Sequence, residues 1–369
     1  MVEAFQVCDV AVVGAGPAGL AAALNLVRAG WRVVLLDANR PRHAATLQSH
    51  GFITRDGASP LELRRLGREE FLAYPLASFI QANVCEARSL TADEAAGHGF
   101  AYGIGVRLVV QPVRGAGILP EIVARRLVVA CGLREELPQI GQLRAFYGTA
   151  LHSCVECDAY EKAGQRLIVI GADRAALRAA ALMSRSAVSV SLLLNGAQLA
   201  PAAEKEISAL AARHGFDVVA EPVLELVGER AQLTGAVLVG GKRVAASAGF
   251  VSPRFALSLS WLAPIFPAYF SEPGSESVLD KSAPGSESVP SSEPNFAGSP
   301  GPSSACGNMP AASEPLTVPD FASASALGVY FAGECALGYP SQLLVAAGHA
   351  QSLVPHVNDS LLGFSTSAF

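Results

Sequence analysis

Cys154-Val155-Glu156-Cys157-Asp158 is the segment of the chain whose residue types and spacing carry the clearest chemistry. Two cysteines separated by two residues can open and close a disulfide. A carboxyl group directly after the second can carry the proton that such exchange moves. A structural zinc site would need two further ligands, and no second Cys-x-x-Cys exists, so no metal is expected. The other cysteines, Cys8, Cys85, Cys131, Cys306 and Cys335, are scattered and read as small buried hydrophobes or surface thiols. An odd total of seven argues against a disulfide framework. His152, two residues ahead of the pair, reads as a structural or exposed side chain.

Two glycine turns flank this segment. Gly14-Ala15-Gly16-Pro17-Ala18-Gly19 follows an apolar strand and opens a helix. The first glycine permits a tight turn, the second lets backbone approach a pyrophosphate, and the third lets helix pack on strand. Unpaired N–H groups and the helix dipole then favour phosphate. Asp37, ending the next strand, is placed to accept hydrogen bonds from ribose hydroxyls. The second turn, Gly171-Ala172-Asp173-Arg174-Ala175-Ala176, is degenerate. Asp173 stands where glycine is needed, adding bulk and negative charge. Asn195-Gly196-Ala197, after the next strand, offers neither an arginine cluster for a 2′-phosphate nor an acid for a ribose. Sites for NADPH and NADH both read as eroded.

The elements that position these residues alternate. Strands are expected at 8–13, 32–37, 126–132, 166–170, 188–194 and 328–333. Helices are expected at 17–29, 60–74, through about 186, at 202–213 and at 341–354, the last stopping before Pro355. The fold class is α/β, with two dinucleotide-binding, Rossmann-type three-layer domains. The first is split: residues 1–145, then 253–270 and 316–369, surround an inserted domain at 146–252. Residues 271–315 contain 12 Ser and 8 Pro in 45 positions and repeat Pro-Gly-Ser-Glu-Ser-Val at 273–278 and 284–289. That stretch reads as a disordered surface insertion.

The chain has 369 residues, 51% of them apolar, only 16% charged, and a net charge of −5. Nothing favours nucleic acid or a membrane as partner. The apolar run at 7–27 is interrupted by the glycine turn and has neither basic leader nor cleavage site, so a cytoplasmic protein is expected.

The glycine turn, Ala130-Cys131-Gly132, Cys154-x-x-Cys157-Asp158, and Gly333-Glu334 with Gln342 occur in the order found in low-molecular-weight thioredoxin reductases, and the chain resembles that family throughout except at 271–315. Residues 50–75 look most like relatives that oxidise small dithiols, such as the gliotoxin and holomycin enzymes. The resemblance implies a homodimer with one FAD held by the split domain at Gly14, Gly16, Pro17, Ala18, Gly19, Asp37, Cys131, Gly132, Gly333, Glu334, Gln342 and Leu343. It implies that Cys157 faces the flavin, Cys154 faces the substrate, and Asp158 serves as general acid. Departures are Cys131 for the usual threonine, Glu334 for aspartate, and Asp158 where the small-dithiol oxidases carry His-Gly. The expected function is FAD-dependent thiol–disulfide exchange with a thioredoxin-like protein or small dithiol, without a bound nicotinamide. Electrons then pass on to oxygen or arrive from ferredoxin. The alternatives are an NADPH-dependent thioredoxin reductase and a catalytically idle flavin-binding interaction protein, the latter disfavoured by the intact cysteine pair.

Overall fold

A computed structural model describes residues 5–100, 103–115, 117–229, 232–270 and 318–364. The Ser/Pro-rich stretch 271–315 lies outside the described residues. The first sheet has six strands: Phe5–Val13, Val33–Asp37, Ala77–Ser89, Val106–Pro112, Glu121–Val129 and Val329–Phe331. Phe5–Val13 runs parallel to both Val33–Asp37 and Glu121–Val129, with Val13 opposite Leu36 and Val129. These strands are near-continuous apolar runs because both faces are covered, and Val10, Ala11, Val12, Leu35 and Leu36 are fully buried. Ala77–Ser89 begins parallel to Val33–Asp37. From Ala82 onward it pairs antiparallel with Val106–Pro112, with a register shift at Val84–Glu86 inside that pairing.

One face of this sheet carries the helix Pro17–Arg28 and the long C-terminal helix Leu343–Leu362, whose Ala346, Ala350, Leu353 and Val357 share one core with Ala22, Ala23 and Leu26. The sequence places the end of that last helix before Pro355, yet it continues two turns further. Proline removes one helical hydrogen bond there. Burial of Val357 and Leu361 offsets that loss, as do the anchors Arg126 Nη2–H to Ser360 O (2.7 Å), Arg125 Nη2–H to Leu361 O (2.6 Å) and Trp31 Nε1–H to Asn358 Oδ1 (2.9 Å).

The second sheet is five-stranded and parallel, in the order Asp217–Val219, Ser189–Leu193, Arg166–Ile170, Ala248–Val251, Leu151–His152. A three-stranded antiparallel sheet, Val223–Glu229, Gln232–Leu238 and Arg243–Ala245, lies beside it and shares its core. The chain enters this unit through Arg134–Glu136 and leaves through Arg254–Ala256, and these two segments pair antiparallel. Both crossings therefore run side by side. No helix among the described residues is long and apolar enough to cross a membrane.

Candidate active site

The first glycine turn is built as its sequence implies. Gly14 has φ 104°, and a Cβ there would lie 2.4 Å from the Ala130 carbonyl oxygen. A Cβ on Gly19 would lie 1.7 Å from the Gly14 carbonyl oxygen, so helix and turn touch through backbone. Gly16 is different: it caps the helix with Pro17 at its start, and a Cβ there would meet nothing within 4 Å. Asp37, almost fully buried, accepts the Ala15 N–H at 3.0 Å through Oδ1 and the Arg64 guanidinium at 2.7 Å through Oδ2. Arg64 also donates to the Ala15 carbonyl at 3.1 Å. It lines a cleft beside the turn with Asn39, Arg65 and Arg68.

The other end of the site is a cavity of about 480 Å³ with walls from both units. Arg42 to Phe52 and Pro340 to Leu344 come from the first, and His152 to Asp158, Arg174 to Ala179 and Phe250 to Ser252 from the second. Gln342 and Leu343 open the C-terminal helix into this cavity. Glu334 lies just behind, its Oε1 accepting from Arg42 Nη2 at 2.6 Å and from the Ser341 N–H at 2.7 Å. Gly132 backs the Glu334 carboxylate, and the Cys131 thiol rests 3.7 Å from the Val13 carbonyl oxygen. Among the described residues His43 Nε2 and Ser341 Oγ, buried in the cavity wall, have no hydrogen-bond partner. Buried polar atoms are seldom left unpaired. Their orphaning, the open space over Gly16 and the helix start at Leu343 together fit a bound flavin dinucleotide, held from the Gly14–Gly19 turn to this cavity.

Cys154 and Cys157 line the same cavity, joined as a disulfide with Cα atoms 5.3 Å apart. Cys154 caps a single helical turn, Val155–Asp158, that contains Cys157. Between them Glu156 pairs with Arg178 on the helix Arg174–Met183, tying the turn to the inserted unit. Of the remaining cysteines that are described, Cys8 and Cys335 are buried and Cys85 is exposed.

Asp158 is buried, and that burial raises its carboxyl up to about 6 even though the nearby Lys162 ammonium pulls the other way. His152, expected to be structural or exposed, is instead part of this site: its Nε2 lies 3.5 Å from Asp158 Oδ1. Its Nδ1 lies 2.7 Å from Lys162 Nζ. Burial, then the Lys162 charge, lowers the imidazole to about 4, against an opposing hydrogen bond to the Gly148 backbone, so it is neutral at pH 7. Lys162 is itself almost fully buried, its ammonium 5.4 Å from the Phe250 ring centroid. Lys162, Arg42 and Arg64 also belong to the site, with no signal in the residue order. Each is an unremarkable basic residue in the sequence, and only the fold sets it against a buried carboxylate.

The degenerate turn is internally satisfied. Asp173 caps the helix Arg174–Met183, accepting the Ala176 N–H at 2.8 Å and the Ser252 hydroxyl at 2.5 Å. Its carboxylate thus occupies the start of that helix. Asn195 is buried and accepts the Val223 N–H at 2.9 Å, which commits its amide to the neighbouring hairpin.

Residues 8–252 match the family pyridine nucleotide-disulphide oxidoreductase. The chain is 28% identical over 163 residues to a probable thioredoxin reductase of Arthroderma benhamiae, covering 44% of this chain and 37% of that one. It is 27% identical over 209 residues to the thioredoxin reductase aclD of Aspergillus oryzae, covering 54% and 62%. In both cases the match spans less than two thirds of the relative's own length. The crystal structure of a putative thioredoxin reductase from Bacillus anthracis superposes with a TM-score of 0.71 at 26% identity, over 96% of this chain and 98% of that one. The chain belongs to the pyridine nucleotide-disulphide oxidoreductase family.

Proposed function

We propose that this protein is an FAD-dependent thiol–disulfide oxidoreductase that exchanges electrons with a dithiol or disulfide through Cys154 and Cys157, without a bound nicotinamide. The observation that carries the reading is the sharing of one cavity by the Cys154–Cys157 disulfide and the Gln342–Leu343 helix start. Bound there, FAD would supply the two-electron acceptor or donor. The chain's own residues do the rest. The Gly14–Gly19 turn would hold the pyrophosphate, Asp37 the ribose, and the Leu343 helix start would favour negative charge on the ring. A substrate sulfur attacks one cysteine, the Cys154–Cys157 bond breaks, and the other cysteine leaves with its electron pair. Asp158 holds or releases the proton that this step moves. The partner is a thioredoxin-like protein or a small dithiol. Oxygen or a carrier such as ferredoxin completes the electron balance.

Independence from NADPH rests on Asp173. A carboxylate already bonded to the Ala176 N–H and the Ser252 hydroxyl supports a helix start closed to pyrophosphate. The second reading, an NADPH-dependent thioredoxin reductase, is favoured by the intact parallel sheet of the inserted unit and by the names of the relatives. The test of the exchange itself is anaerobic mixing of the purified yellow protein with a dithiol. Flavin bleaching that Cys154→Ala abolishes is expected. Bleaching that survives in Cys154→Ala would remove the cysteine pair from the electron path.

A further inference from the structure

Two cavities meet at the cysteine turn. The first is the one that holds Cys154 and Cys157. The second, of about 560 Å³, opens on the other side, lined by Thr149, Glu161 and Lys162. His50, His152 and Asp158 line both. Lys162 lines only the outer one, yet its ammonium turns inward to His152 Nδ1 at 2.7 Å. An ammonium has no lone pair, so this contact makes Nδ1 the acceptor and puts the ring proton on Nε2, the atom 3.5 Å from Asp158 Oδ1. Burying an ammonium at 4% exposure is unfavourable unless it is paired. Among the described residues Lys162 has no hydrogen-bonded carboxylate; its ammonium is met by the His152 imidazole and the Phe250 ring, with the charges of Asp158 and Glu161 nearby.

We propose that Lys162 is a positioning residue for the thiol–disulfide exchange. Through His152 it fixes the Asp158 carboxyl beside the cysteine turn, and its charge lowers the pH at which Asp158 gains and loses the exchanging proton. The proposal rests on the exchange function assigned above. The groups facing Asp158 are His152 from the strand before it, Glu161 and Lys162 from the segment after it, and His50 from the first unit. Asp56 stands 3.5 Å behind His50, and His50 lies 3.5 Å from Glu161. Of these charges, Lys162 acts most strongly on Asp158. In the step concerned, a dithiol thiolate attacks one cysteine sulfur and the Cys154–Cys157 bond breaks. The departing sulfur takes the electron pair and then the proton held by Asp158. The second substrate thiol closes the substrate disulfide and releases the other cysteine, so two electrons pass from substrate to protein.

The test is the rate at which dithiothreitol reduces the Cys154–Cys157 disulfide across the acid-to-neutral range, read by alkylation trapping. Dividing each rate by that of Asp158→Asn at the same pH removes the reagent's own ionisation. Lys162→Met should move the midpoint of this ratio upward by about one pH unit or more, since an opposite charge at such range lowers a carboxyl by that much. Lys162→Arg, which keeps the charge, should stay near the parent. A folded Lys162→Met protein with an unmoved midpoint overturns the proposal. Should Lys162→Met not fold, His152→Gln must slow reduction at least about tenfold with the fold retained, by loss of the positioned acid. An unchanged rate overturns the proposal equally. The trap reads the disulfide without any flavin. An unmoved midpoint with dithiol bleaching intact would therefore sink Lys162 alone, whereas a shifted midpoint with no bleaching would sink the flavin function alone.

Discussion

At the residue scale the site depends on how protein burial changes one carboxyl group. Asp158 is raised up to about 6 because burial outweighs the attraction of Lys162. It is therefore protonated below that pH and ionised above it, whereas a free carboxyl would already be ionised near pH 5. A protonated Asp158 can give its proton to a departing thiolate, and an ionised one cannot. Reductive opening of the disulfide should slow as the pH rises through about 6, once the reagent's ionisation is divided out. Asp158→Asn should erase that dependence and, below pH 6, slow the step by about 100-fold, measured by alkylation trapping. A pH profile unaltered in the variant would place the acid elsewhere. Cys154, Cys157 and Asp158 were legible because their chemistry follows from type and adjacency. His152 and Lys162 were not. Their connection to Asp158 depends on the turn after Cys157 folding back beneath the last short strand, Leu151–His152, of the second sheet.

At the element scale, two glycines of one turn separate packing from binding. A methyl on Gly19 collides with the Gly14 carbonyl and neither backbone can yield, so Gly19→Ala should lower the unfolding midpoint and lose flavin together. A methyl on Gly16 meets nothing in the protein. Gly16→Ala should leave the unfolding midpoint of the flavin-free protein unchanged and still weaken flavin retention, by filling the space for the pyrophosphate. Equal losses in the two variants would contradict this division. The turn at Asp173 makes the reverse case, where a carboxylate at the glycine position caps the helix. Asp173→Ala should cost about 1 kcal/mol of stability in denaturant titration and Asp173→Gly only a few tenths, since glycine is itself an adequate cap. The first turn was readable from spacing alone, and so was the damage to the second. The extension of the last helix through Pro355 was not, because its gain lies in long-range anchors from Arg125 and Arg126.

At the scale of the whole molecule, two Rossmann-type sheets meet across a cavity that holds the disulfide, and the chain passes between them through one antiparallel pair of short strands. The alternation of apolar runs and glycine turns made both units legible. Their facing arrangement was legible only through family resemblance, since no local signal tells one unit where the other sits. The cysteines line the same cavity as the Leu343 helix start. On the function proposed above, the Asp173 carboxylate at the second helix start stands against a nicotinamide dinucleotide. Two like charges about 4 Å apart at an effective dielectric near 20 repel by ~4 kcal/mol, or about three decades of affinity. The most direct measurement is rapid anaerobic mixing of the flavin-loaded protein with NADPH, NADH and a dithiol in parallel, following flavin absorbance. The account predicts prompt bleaching by the dithiol and none at a useful rate by either nicotinamide. Rapid bleaching by micromolar NADPH, with the dithiol inert, would contradict it.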